Sequence, residues 1–316
     1  MNILLTGSSG FIGYHLSKEL TKKDFFVTGI DNHNNYYDIN LKQLRKSLLE
    51  SKNFAFLNQD IRNLKLSDKH FDLVIHLAAQ AGVRCPRDKE YLYDENNVNG
   101  FKKICEFCIQ NKVNKLIYAS SSSVYSDSDK KKFNEKNTIL DPISKYGKTK
   151  LFNEQYASKI SKNFGIHCIG LRFFSVYGPY GRPDMAYFKF AESLKKNKRI
   201  KLNNLGSMKR DMTYIDDIVD GILLSINYLV KNEDRIKNEI FNLGNGTPIL
   251  ISDLLKMMEK KLEKTAIIEN NFTNNESAYT HADIGKAKKF LGYNPKTSIE
   301  VGISNFLKWH MKYEKI

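Results

Sequence analysis

A short apolar run at residues 3–6 opens directly into Gly7-Ser8-Ser9-Gly10-Phe11-Ile12-Gly13, and an amphipathic stretch follows at 11–21. Strand, glycine-rich turn and helix in that order form the first half of a βαβ unit, and few folds accept it. Gly7 permits the tight turn, Gly10 lets backbone approach a pyrophosphate, and Gly13 lets helix and strand pack closely. The helix N-terminus then faces the phosphate charge. Phe11 and Ile12 lie on that first turn and belong to the same expected cofactor site. Asp31 stands 31 − 13 = 18 residues past Gly13, near the ~20 expected for a ribose-binding acid. A carboxylate there accepts from both adenosine-ribose hydroxyls and repels a 2′-phosphate, which favours NAD over NADP.

The rest of the first half keeps the alternation. Residues 3–6, 25–30, 54–57, 73–76, 116–120 and 167–171 read as strands, and 11–21, 41–50, 98–111 and 145–163 as helices. Such alternation predicts a doubly wound parallel α/β sheet. After Arg172 the pattern becomes irregular, with helices near 185–196, 215–230 and 251–262. We therefore expect a dinucleotide-binding domain over 1–172 and a smaller mixed α/β lobe over 173–316, with some segments crossing back. Asp60 and Ile61, just past the third strand, are placed to meet the adenine. Leu77, Ala78 and Ala79 end the fourth strand at the carboxyl edge, where such sheets bind ligands.

The formal charge is 50 − 35 = +15 over 316 residues. Lysine is spread along the chain rather than gathered, so a nucleic-acid partner is not expected. The run Lys130-Lys131-Lys132 reads as solvated surface. Cys105 and Cys108 form a C-x-x-C without a second Cys/His pair at zinc-finger spacing, and they share a helical stripe with Phe101 and Ile104. They read as core thiols, and no metal is expected. Few, scattered cysteines suit a reducing cytoplasm. No apolar run approaches the ~20 residues of a membrane span.

Tyr146 and Lys150 stand four apart, one helical turn on one face. An ammonium beside a phenol favours the phenolate, and a tuned phenol exchanges protons with a sugar hydroxyl. The pair alone is a weak signal. Here it follows the dinucleotide turn and the serine run Ser120–Ser123, in that order.

With those parts the chain resembles the extended short-chain dehydrogenase/reductases that act on nucleotide sugars. The likeness extends over the glycine motif, residues 76–79, the serine run, Tyr146/Lys150, residues 210–217, and 280–286 with Leu291-Gly292-Tyr293. Within that group it looks most like the UDP-glucuronate 4-epimerases, on residues 79–84 and 172–186. The resemblance implies a Rossmann sheet, bound NAD, a UDP-sugar substrate and a cytoplasmic homodimer built on helices 98–111 and 145–163. It implies Tyr146, Lys150 and Ser121 as catalytic residues. Substrate binding falls to Arg84, Ser122, Ser123, Ser175, Arg182, Arg210 and Asp283. Ser175 and Arg182 are the carboxylate readers, and Arg210 the diphosphate arginine. Related 4,6-dehydratases carry Asp-Glu at Ser122-Ser123, and related decarboxylases carry Glu at Ser123; this chain has neither acid.

It also departs from the family: Cys85-Pro86 replaces Tyr-Ser, Ser126 replaces Gly, and residues 274–278 lack the usual Gly-Asp-Val. Two rivals therefore stand beside uronate epimerisation. One is a 4-epimerase for UDP-glucose/galactose or another neutral nucleotide-hexose. The other is a catalytically silent dinucleotide-sensing protein.

Overall fold

The computed structural model describes residues 1–316 except 65, 67–68, 127–131, 137–139, 234, 273–277 and 314–316. Lys130 and Lys131, and the departure at 274–277, lie outside the described residues. The first half runs β1 (Asn2–Thr6), α1 (Phe11–Lys22), β2 (Phe26–Asp31), α2 (Ile39–Ser47), β3 (Phe54–Asn58) and β4 (Leu73–His76). A continuous helical passage follows: α3 (Tyr91–Tyr93), a π-helical turn over Asp94–Asn99, and α4 (Gly100–Gln110). Then come β5 (Lys115–Ser121), α5 (Lys145–Phe164) and β6 (His167–Phe173). The second half supplies β7 (Ser175–Tyr177), α6 (Ala186–Lys195), β8 (Arg199–Asn203), β9 (Lys209–Tyr214), α7 (Ile215–Lys231) and β10 (Asn238–Leu243). It ends with β11 (Pro248–Leu250), α8 (Ile251–Leu262), β12 (Ile267–Asn271), α9 (Gly285–Leu291) and α10 (Ile299–Lys312).

Seven parallel strands form the main sheet in the order β10-β6-β5-β4-β1-β2-β3. Side-chain alternation decides its two faces. Ile3 and Leu5 of β1 pack with Leu16 and Leu20 of α1 and with α7, while Leu4 faces Phe101 and Ile104 of α4 and Ile160 of α5. The chain leaves β1 toward β3 and returns to β4 on the other side, so a crevice opens between β1 and β4 at the carboxyl edge. β10 returns from the second half to the sheet edge, pairing with β6. The remaining strands make a mixed sheet β11-β9-β7 and a parallel pair β12-β8. Cys105, Cys108 and Cys168 are buried, and the described cysteines are all free thiols. Among the described residues no cluster of His, Cys, Asp or Glu is able to hold a metal, and no helix is long and apolar enough to cross a membrane.

The helix expected at 41–50 spans Ile39–Ser47, and its buried side is not purely apolar: Lys42 and Arg45 are buried with Leu41, Leu49 is buried just past the helix, and Leu48 is exposed. Arg45 is fully buried because acceptors surround it. Its guanidinium donates to Tyr180 O (2.7 and 3.1 Å), Gly181 O (3.0 Å), Ser9 O (3.1 Å) and Tyr37 Oη (2.6 Å). A buried charge is tolerated when its donors are met, and these are met by the cofactor turn and by the loop that precedes Arg182.

Candidate active site

A cavity of about 1040 Å³ lies across the carboxyl edge of the sheet. At its inner end the turn Gly7–Gly13 meets it. α1 begins at Gly10 without a side-chain cap and without an acid in its first turn, so its leading amides are left for a ligand. A Cβ at Gly13 would stand 2.0 Å from Gly7 O, and one at Gly7 would stand 2.7 Å from Ala78 N. The turn therefore packs only as glycine, and its bare backbone suits a pyrophosphate. Asp31 accepts from Ser9 N (3.2 Å) and His33 N (2.9 Å), fixing its carboxylate at the end of β2. Asp60 is held by Arg62 (2.8 and 2.9 Å) and by Asn32 (3.0 Å), and the Arg62 hydrogen bonds bring its carboxyl down to about 2. Ile61, Leu77, Ala78 and Ala79 complete the wall. These residues fit a bound dinucleotide: uncapped amides for its phosphates, a carboxylate for its ribose and an apolar slot for its rings.

At the centre stand Tyr146 and Lys150 on the first two turns of α5. Ser144 caps that helix, its Oγ accepting from Gly147 N (3.0 Å). Gly147 lets α5 abut the serine run, since a Cβ there would lie 2.2 Å from Ser123 O. The Ser121 hydroxyl lines the cavity with the Tyr146 phenol and donates to Ser123 Oγ (3.1 Å). The electrostatics correct the simple picture of a lysine lowering its neighbour. Burial raises the Tyr146 phenol above its ordinary value, and Arg182 and Ser121 pull it back in part. Lys150 donates to Ala119 O (3.0 Å), with its ammonium 5.7 Å from the Tyr146 ring, and burial pushes it down to about 8. Desolvation outweighs the pair's mutual effect in the protein alone.

Ser122, Ser123, Arg84, Ser175, Arg182 and Arg210 all line the same cavity, beyond Tyr146. Residues 3–244 match the NAD dependent epimerase/dehydratase family. The chain belongs to that family. An uncharacterized protein of Methanocaldococcus jannaschii is 45% identical, with 98% of this chain and 96% of that one covered. UDP-glucuronate 4-epimerase 4 of Arabidopsis thaliana is 38% identical, covering 99% of this chain and 76% of its own length. Among solved structures, UDP-glucuronic acid 4-epimerase from Bacillus cereus, in complex with UDP-glucuronic acid and NAD, superposes with a TM-score of 0.91 at 34% identity, covering 99% of both chains.

Against this epimerase/dehydratase frame one residue stands apart. Asp283 does not line the cavity. Its carboxylate lies outside the cavity lining and accepts from Asn134 Nδ2 (2.8 Å) and from Gly285 N (2.8 Å) at the start of α9, which ties two stretches of chain together. Other residues escaped sequence reasoning. Asn97, on the π turn, accepts from Gln80 N (2.8 Å) and donates to Gln80 O (3.1 Å) and Thr149 Oγ1 (3.1 Å). Thr149 in turn donates to Tyr146 O (2.8 Å). This chain of bonds ties the loop after β4 to the Tyr146 backbone, and such a π turn is a common mark of a functional site. Asp211 accepts from the backbone of Asn245 (2.7 Å), Gly246 (2.9 Å) and Ala282 (2.9 Å), locking β9 and its neighbour Arg210 to the rest of the lobe.

Proposed function

We propose that this protein inverts C4 of a UDP-sugar, interconverting UDP-glucuronate and UDP-galacturonate through a transient 4-keto sugar. One observation carries the reading: Tyr146 and Ser121 open into the same cavity as Arg182 and Ser175. Bound NAD supplies the acceptor and donor for the C4 hydride. Tyr146 takes the 4-hydroxyl proton and returns it after the sugar has turned its other face. Ser121, which lines the same cavity, is the hydroxyl placed to share that proton's path. Lys150, held by Ala119 O, is the nearby cation that favours the phenolate once the site is filled. Gly7, Gly10, Phe11, Ile12, Gly13, Asp31, Asp60, Ile61, Leu77, Ala78 and Ala79 hold the dinucleotide, with Tyr146 and Lys150 against its nicotinamide end. Arg84, Ser122 and Ser123 line the sugar, and Arg210 meets the diphosphate.

Arg182 and Ser175 grip the carboxylate. A 4-keto uronate is a β-keto acid and loses carbon dioxide readily, so fixing the carboxylate's orientation also restrains that loss. Arg182→Ala is expected to raise the KM for UDP-glucuronate at least tenfold and to release UDP-pentose, because a charge-assisted bidentate contact is lost. Unchanged uronate turnover without pentose would remove the carboxylate role and favour a neutral UDP-hexose as substrate. We further infer a cytoplasmic homodimer built on α4 and α5, where Phe152 and Tyr156 stack at 5.7 Å and Lys102 lies over Phe152. A monomeric mass in solution would contradict the dimer.

A further inference from the structure

Arg182 enters the cavity already engaged. Its Nε donates to Asp184 Oδ1 (3.0 Å) and its Nη2 to Asp184 Oδ2 (2.5 Å). A guanidinium offers two bidentate edges: the side edge, Nε with one Nη, and the end edge, Nη1 with Nη2. Asp184 takes the side edge. Among the described residues no hydrogen bond engages Nη1. The Tyr36 hydroxyl donates to Asp184 Oδ2 (3.3 Å), and the Tyr36 ring lies 6.0 Å from the Arg182 guanidinium. Tyr36 is on the loop after β2, beside the ribose acid Asp31, and it packs against Gly82, where a Cβ would fall 2.2 Å from its hydroxyl. The backbone before Arg182 is pinned separately, since Arg45 binds the carbonyls of Tyr180 and Gly181. The main chain is thus fixed by one residue, and the side-chain torsions are left to another.

We propose that Asp184, buttressed by Tyr36, is a positioning residue that makes Arg182 a one-edged carboxylate receptor, presenting its end edge to the sugar. This deepens the carboxylate role assigned to Arg182 above and rests on it. A long flexible side chain loses much rotamer freedom when it binds, and prior immobilisation removes that cost at the moment of substrate binding. Asp184 also offsets the charge of Arg182, so the site selects the uronate by geometry more than by net charge.

The two effects of Asp184 predict opposite signs. If it merely competes for Arg182, Asp184→Asn frees a cation and tightens uronate binding. If it positions Arg182, the same change loosens it. The test measures Kd for UDP-glucuronate and for UDP by calorimetry on the NAD-loaded protein, with kcat and KM alongside. For Asp184→Asn the expected result is a rise of about tenfold in Kd and KM for UDP-glucuronate, the scale of one well-aligned charge-assisted bond. UDP binding should change less than twofold. Asp184→Glu should recover part of the loss. Tyr36→Phe, which removes only the buttressing hydroxyl, should shift Kd the same way by two- to threefold, and serves if the Asp184 variants fold poorly. Tighter or unchanged binding of UDP-glucuronate in Asp184→Asn overturns the proposal, as does an equal loss for UDP. If the unaltered protein binds UDP-glucuronate no better than UDP, the carboxylate reading itself has failed, which is a separate result.

Discussion

Glu154 is the best place to ask what holds the reactive helix against the sheet. It lies on α5, one turn beyond Lys150, and is 6% exposed. Its Oε1 accepts from Ser120 and from Arg172 Nε (2.8 Å), and its Oε2 from Arg172 Nη2 (2.7 Å). Ser120 is on β5 and Arg172 on β6, so one carboxylate joins the helix to two central strands. Removing one partner of a buried pair leaves the other charge unmet and costs about 3–5 kcal/mol. A chain of this size shifts its Tm by roughly 2 °C per kcal/mol. Glu154→Ala should therefore lower the melting temperature by about 6–10 °C in a calorimetric scan at constant pH. Glu154→Leu combined with Arg172→Met removes both charges and should recover most of the loss, since apolar replacement of a whole pair is nearly neutral. A fall below ~2 °C for the single variant, or a double variant no better than the single, would refute the assignment of this pair as the anchor.

Two further outcomes follow from burial and packing. His15, His76 and His310 are pushed down by burial to about 4, 3 and 4. Their unfolded value is near 6.5, so below it the unfolded chain binds more protons than the folded one. Their contribution is complete above about pH 6.5 and is lost as the pH falls toward 4, by up to ~1.4 kcal/mol per pH unit for each group. Urea titrations at pH 7, 6 and 5 check this, and a flat stability over that range contradicts it. Gly13→Ala places a Cβ 2.0 Å from Gly7 O and 2.9 Å from Ser8 Cα. Both are backbone, so the turn must move, and the variant is expected to purify without NAD. Measuring dinucleotide released on denaturation gives the answer; a full complement of NAD contradicts the cofactor geometry.

The parts legible in the sequence were those whose signal is local. The turn Gly7–Gly13 follows β1 directly, Asp31 ends β2, and Tyr146 and Lys150 share a helix face, so spacing alone placed them. What stayed hidden depends on residues far apart in the chain. Arg45 reads as a surface charge until the carbonyls at 180–181 fold over it, 135 and 136 positions away. Asp184 reads as part of a motif until its carboxylate is seen spanning one edge of Arg182. Asp283 shows the converse, a motif residue that the fold places outside the cavity lining, bonded to Asn134 and Gly285. β10 was missed because an edge strand with Asn238 and Glu239 at its start leaves that half only partly buried, which blurs the apolar signal.

The most direct test of the central claim is to incubate the purified, NAD-loaded protein with UDP-glucuronate and follow the sugar by NMR. Conversion to UDP-galacturonate, without UDP-pentose, is the result predicted from Tyr146, Ser121 and a gripped carboxylate. A protein that leaves UDP-glucuronate untouched while interconverting UDP-glucose and UDP-galactose would contradict it.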